Sequence, residues 1–312
     1  MAYSHIPVML KECIKFLNIR PDGVYLDGTL GGGGHAYEIA SRLAGGSGRL
    51  IVIDKDKEAI AAAKEKLREF GKQITYVHDD FKNFEAQLKK LGISGLEGVL
   101  LDLGVSSYQI DTAERGFSYM NDGKLDMRMN RSQKITASDI VNNYKPKDLE
   151  RIIFDFGEDP NAKLIVAAIV RARHEKPIKT TLELAKIIEE SIPAKDRWKL
   201  GHPAKRTFQA IRIEVNDELR GLEKAVKRMT QVLYPKGRIV IISFHSLEDR
   251  IVKSTLNLMA QECICDKKLP ICTCGHKPEI TLLTKKPLTP ELQEISRNSR
   301  AASANLRAAE RI

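Results

Sequence analysis

No apolar run in this chain exceeds the length of a strand, Ile239 to Phe244 being typical of the longest. A helix crossing a membrane needs about 20 such residues, so none is expected. Lys11 and Glu12 interrupt the N-terminus early and no apolar signal region follows, which makes a cytoplasmic protein the expectation. Internal repeats and low-complexity tracts are missing. So are the spaced GxGxxG of a dinucleotide binder and the GxxxxGK[ST] loop that cradles nucleotide phosphates. No chain of nucleophile, base and orienting group stands out, so the chemistry sought is one that needs alignment of reactants more than a strong base.

What is present starts at residues 24 to 35, VYLDGTLGGGGH: an apolar strand, Asp27, then Gly28 and Gly31 to Gly34, closed by His35. Backbone without side chains can pass close to a ligand. The following AYEIASRLA has helical spacing, so the segment reads as strand, glycine loop and helix, the opening of a nucleotide-binding βα unit. Asp54 ends the second strand, where an acid commonly accepts hydrogen bonds from ribose hydroxyls. With no phosphate loop, the pattern suits a nucleoside cofactor lacking phosphates, of which S-adenosylmethionine is the common one.

Length and composition fit this frame. The chain has 312 residues, 42% hydrophobic and 29% charged, enough for one large domain or two modest ones. Lys and Arg number 51 against 41 Asp and Glu, a net charge of +10. Such an excess favours polyanions through counterion release, but charge alone leaves nucleic-acid binding open. Two basic stretches lie mid-chain: Arg171, Arg173, His174, Lys176 and Lys179, then Lys195, Arg197, Lys199, His202, Lys205 and Arg206. Solvated helix faces are the alternative for both.

Strands are predicted at Val24 to Asp27, Arg49 to Asp54, Ile74 to Val77, Val99 to Leu103 and Arg238 to Phe244, with two more at Glu279 to Thr284 and Asn305 to Ala309. Helical spacing lies between the first four, over Tyr37 to Leu43, Glu58 to Phe70 and Phe84 to Leu91. Alternating strands and helices imply a parallel sheet covered on both faces. From Thr112 to Asn216 only helical patterns occur, one opened by the capping box Thr180 and Glu183. The expectation is therefore an α/β domain over 1–111 and 217–312, with an inserted helical domain over 112–216. A long helix carrying Phe208, Ile211, Val215, Leu219, Leu222 and Val226 is predicted to bridge back, and YPKG at 234–237 to turn into strand five.

Strand four delivers LLDLGVSSYQID at 100–111, placing Asp102 at the ligand edge of the sheet. Ser106 and Ser107 would bond a substrate or cap a turn. His245, just past strand five, would reach the same edge, although a lone histidine is more often structural. Cys263, Cys265, Cys272 and Cys274 form two CxC pairs, with Cys13 apart. Four thiolates satisfy tetrahedral zinc, and a reduced surface excursion is the alternative.

DGTLGGGGH, LLDLGVSSYQID with ERGFSYMNDGKLDMRMN, HPAKRTFQAIRIEVNDEL and SFHSLEDRIVK, in that order, resemble the signature blocks of the bacterial ribosomal RNA small-subunit methyltransferase H (MraW) family, from His5 to the closing ANLRAAERI. The resemblance implies a class I, Rossmann-like methyltransferase domain with an inserted all-helical domain. It implies an S-adenosylmethionine-dependent enzyme that methylates the N4 amine of a cytidine in the decoding region of 16S ribosomal RNA, on the free RNA or the small subunit. Carried over by position, the cofactor contacts would be Gly33, Gly34, His35, Asp54, Phe81, Asp102 and Gln109, with Phe81 flanking the adenine. Asp102 and His245 are the candidates for the chemistry. Lys205 and Arg206, with Arg171 and Arg173, are the candidates for RNA phosphates. Some relatives lack the cysteine array, so any zinc would be structural. A homodimer, a same-fold enzyme acting on another RNA or DNA, and a non-catalytic RNA-binding assembly factor stay open.

Overall fold

Leu50, Ile51, Val52 and Ile53 are consecutive and all fully buried, which requires a strand covered on both faces. The computed structural model, which describes residues 7–199, 201–266 and 273–312, supplies both covers. Its sheet contains β1 Val24–Asp27, β2 Arg49–Asp54, β3 Ile74–His78, β4 Leu96–Asp102, β5 Leu233–Ser243, β6 Ile280–Leu282 and β7 Asn305–Arg311, in the order β3-β2-β1-β4-β5-β7-β6. β1 to β5 are parallel, and β7 runs antiparallel to both β5 and β6. Leu50 and Val52 pack with Ile39 and Leu43 of the helix Gly34–Leu43 and with Leu17 of the helix Leu10–Leu17. Ile51 and Ile53 pack with Leu88 of Phe84–Lys90, Met229 of Leu222–Gln231 and Leu256 of Ser246–Met259. The fold is thus α/β and Rossmann-like, with the carboxyl ends of β1, β2 and β4 side by side.

The chain forms two compact units, one of Met1–Gly104 with Arg220–Ile312 and one of Val105–Leu219, so the divisions fall at 104/105 and 219/220 rather than at 111/112 and 216/217. The short helix Ser107–Asp111 belongs with the second unit. That unit is otherwise built from Ala137–Asn143, Pro146–Asp155, Ala162–Glu175, Thr181–Ser191 and Ala204–Asn216 around its own core of Ile140, Ile152, Ile165, Leu184, Phe208 and Ile211. No strand occurs among its described residues. The Thr180 and Glu183 capping box is present.

Three local expectations fail. The bridging helix is two helices, because Asp217 takes a left-handed conformation (φ 51°) and ends the first, and Leu222–Gln231 starts afresh after Gly221. The predicted helix through Phe70 stops at Lys66 and gives way to 3₁₀ turns. Residues 234–237 lie inside β5, where Lys236 at φ 66° and a register shift opposite Leu96 and Gly98 absorb the turn.

Candidate active site

Three acids end three adjacent strands: Asp27 on β1, Asp54 on β2 and Asp102 on β4. The parallel register that aligns strand tips brings them together. The Gly31 and Asp56 N–H groups donate to the Asp54 carboxylate, each at 2.8 Å, and the Thr29 N–H donates to Asp27 Oδ1 at 3.0 Å. The Asp102 N–H donates to Thr29 Oγ1 at 2.5 Å, so Thr29 ties the β1 loop to the tip of β4. Asp27 Oδ2 and Asp102 Oδ1 are buried with no hydrogen-bond partner. Buried polar atoms are normally satisfied, so these two oxygens face a place where a donor is expected. Burial pushes Asp27 up to about 7, with the Asp54 charge adding to it, and burial likewise pushes Asp54 up to about 6. Asp102 is raised well above the carboxylate range by burial first, then by Asp27 and Glu248. A cleft of acids repels phosphates and suits hydroxyl, amine and cationic donors, which fits a sulfonium nucleoside.

The glycine loop shapes the same place. Gly33 takes φ 70°, a left-handed conformation that starts the helix Gly34–Leu43. Gly34 has a different task, since a Cβ there would come within 2.9 Å of Pro7 Cγ. Its missing side chain leaves room for Pro7. His35 is buried at the helix start with Nε2 3.0 Å from the Val8 carbonyl oxygen and Nδ1 3.6 Å from Asp102 Oδ2. A carbonyl only accepts, so Nε2 carries a hydrogen, and Nδ1 faces the Asp102 carboxyl. Two lone pairs then face each other unless one proton sits between them.

The remaining expected residues are distributed as follows. Phe81 opens a 3₁₀ turn after β3 and is buried in the core with Leu26, Ile51 and Leu101. Gln109 lies in the helical unit, where its side-chain oxygen accepts the Ser106 N–H and Ser106 caps the helix, so the Ser106 hydroxyl is a cap. His245 caps the helix Ser246–Met259 through Nδ1, and its Nε2 lies 3.2 Å from Glu248 Oε1. Nδ1 is thus engaged at the helix start, while Nε2 is buried and, despite the nearby Glu248 carboxylate, makes no hydrogen bond. Arg173 donates to the Val141 and Tyr144 carbonyls, each at 2.7 Å, and Arg206 donates to the Glu158 carbonyl. These two guanidiniums are tied to helix ends and loops by those bonds. Arg171 and Lys205 are exposed, and Arg171 lines a cavity of about 530 Å³ with Lys163 and His174. Cys263, Cys265 and Cys274 lie close together, while Cys272 and His5 lie outside the described residues. No helix among the described residues is long and apolar enough to cross a membrane. Asp27 and Thr29 were not singled out as site residues, although an acid before glycine at the end of a buried strand was the available signal.

The model of the MraW methylase family matches residues 2–312. Ribosomal RNA small subunit methyltransferase H of Finegoldia magna is 51% identical over 313 residues, 100% of both chains. The protein of the same description from Lachnospira eligens is 53% identical over 312 residues, 100% of this chain and 99% of that one. The one from Clostridioides difficile is 50% identical over 312 residues, 100% of each.

Proposed function

This chain belongs to the MraW methylase family, is an S-adenosylmethionine-dependent methyltransferase of small-subunit ribosomal RNA like its full-length relatives, and, we propose, acts on the exocyclic N4 amine of a cytidine in the decoding region, in the cytoplasm. The observation that carries the reading is the pair of unpartnered carboxylate oxygens, Asp27 Oδ2 and Asp102 Oδ1, at the tips of adjacent strands beside a glycine turn. When bound, S-adenosylmethionine supplies an electrophilic methyl group. Asp54 would accept from its ribose hydroxyls, Gly33, Gly34 and His35 would line its amino-acid side, and Phe81 would bound the purine. Asp102 accepts a hydrogen bond from the cytosine amine and orients its lone pair.

A cytosine amine is weakly nucleophilic and sheds its proton late. Asp102 is placed to receive that proton, and His35 Nδ1, 3.6 Å away, holds a lone pair that takes a share of it. The base has to leave its stack to reach such a cleft. Exposed Lys205 and Arg171 contact phosphates. Asp102→Asn is expected to lower turnover by roughly 10²-fold or more, with cofactor affinity changed far less. Full turnover in that variant would remove the role given to Asp102. Methylation of naked 16S RNA, 30S subunits and DNA, followed by mass mapping of modified nucleosides, tests the acceptor; a product other than N4-methylcytidine would overturn it.

A further inference from the structure

Residues 260–279 join the helix Ser246–Met259 to β6, and their described part contains no helix or strand. The excursion leaves and returns at one place, since the Glu279 N–H donates to the Met259 carbonyl at 2.8 Å. A long loop without secondary structure inside a compact domain needs another source of order. Its described residues offer little core of their own, for Ile264 is exposed, as are Cys263 and Cys274.

The sulfurs of Cys263, Cys265 and Cys274 all lie within 4.8 Å of one another, and no disulfide joins them. Cys263 and Cys274 are 3.8 Å apart, sulfur to sulfur. Ligands 2.3 Å from a tetrahedral zinc are separated by about 3.8 Å, the same spacing. A disulfide would need about 2.05 Å. Each sulfur also accepts a backbone N–H at 3.4 Å: Cys263 from Cys265, Cys265 from Thr273, and Cys274 from His276. Amide donors aimed at sulfur stabilise thiolates, the form that binds metal. They also hold the ligands in place before metal arrives. Three thiolates crowded in this way would repel one another unless a cation lay between them.

We propose that Cys263, Cys265 and Cys274 bind a structural zinc ion that fastens the 260–279 excursion, a site separate from the methyl-transfer chemistry. Soft, compact thiolate donors with no redox partner nearby favour Zn²⁺ over hard oxygen-seeking cations.

The test uses the full-length protein purified under reducing conditions. Elemental analysis is expected to find one zinc per chain, and Cys263→Ser and Cys274→Ser are expected to reduce it at least tenfold while S-adenosylmethionine binding persists. Cobalt added to metal-stripped wild-type protein is expected to give the intense thiolate-to-metal charge-transfer absorption, a readout independent of whether any variant folds. Stripping the metal is expected to open residues 260–279 to protease. Reduced protein that carries no zinc and gives no such cobalt absorption would overturn the proposal, as would serine variants that keep a full equivalent of zinc.

Discussion

Asp27 is a carboxylate held where charge is costly, and stability and binding pull on it in opposite directions. Its folded-state pKa is raised from 3.8 to about 7. The unfolded chain therefore ionises first as pH rises, and the folded state is penalised progressively between those values. The penalty is absent below the lower value and complete above the higher, where it reaches the order of 4 kcal/mol. Asp27→Asn escapes it and can still accept from Thr29. That variant should melt several degrees higher than the parent at about pH 8, with the gap narrowing toward about pH 5. Its affinity for S-adenosylmethionine should fall. Calorimetric melting across pH, with binding titrations on the same samples, checks both. If the ligand supplies donors to Asp27 and Asp54, it lowers both pKa values, and binding expels protons from about pH 7 downward, as far as the lowered values. Titrations in buffers of different ionisation enthalpy should detect that release near pH 6.5 and find it gone by about pH 8.5.

Elements carry these residues to their places, and the sequence announces some elements better than others. β1 and β2 have the boundaries their apolar runs predicted, because a strand buried on both faces has to be apolar throughout. The stop at Asp217 was not legible, since apolar spacing continues through Leu219 and Leu222 and a single residue at φ 51° breaks it. Two of the shared sequence blocks turn out to serve packing. Asn216 accepts from the Met129 N–H and donates to the Met127 carbonyl, each at 2.7 Å, and buried Arg115 donates to the Arg128 carbonyl at 2.9 Å. Pairings across some ninety residues leave no local trace in a sequence. The arginines of the helical unit are a similar case, for composition cannot separate a guanidinium tied to carbonyls from one in solvent. Arg173→Ala, having removed two bonds to carbonyls, should therefore destabilise the protein by roughly 1–3 kcal/mol, seen as a lower melting temperature. Lys205→Ala and Arg171→Ala should leave melting unchanged and each flatten the salt dependence of RNA binding by about one unit of slope. In the glycine loop, Gly33→Ala forces a side chain into φ 70° and to 3.2 Å from Ala63 Cβ. A loss of at least about 1 kcal/mol in stability is expected, together with weaker cofactor binding, seen by melting with and without S-adenosylmethionine.

At the scale of the whole molecule, charge is distributed otherwise than the basic stretches suggest. Residues 105–219 hold 20 Lys and Arg against 18 Asp and Glu, whereas the rest of the chain holds 31 against 23. Local clusters such as Lys195 to Arg206 catch the eye, yet acids elsewhere in the same unit, many of them between Asp111 and Asp159, nearly cancel them. The excess of +8 belongs to the unit with the sheet, and only +2 to the helical unit. Attraction of a polyanion is largely screened beyond the Debye length of about 10 Å, so it depends on which cations come that close to its phosphates. The helical unit has a core of its own, so residues 105–219 are expected to fold when produced alone and to show a cooperative helical melt by circular dichroism. Alone, they should bind a 16S RNA fragment with a lower salt slope than the full chain, keeping about one unit each for Lys205 and Arg171 and losing whatever phosphate contacts the sheet unit makes. A slope equal to that of the full chain would place the electrostatic footprint in the helices after all.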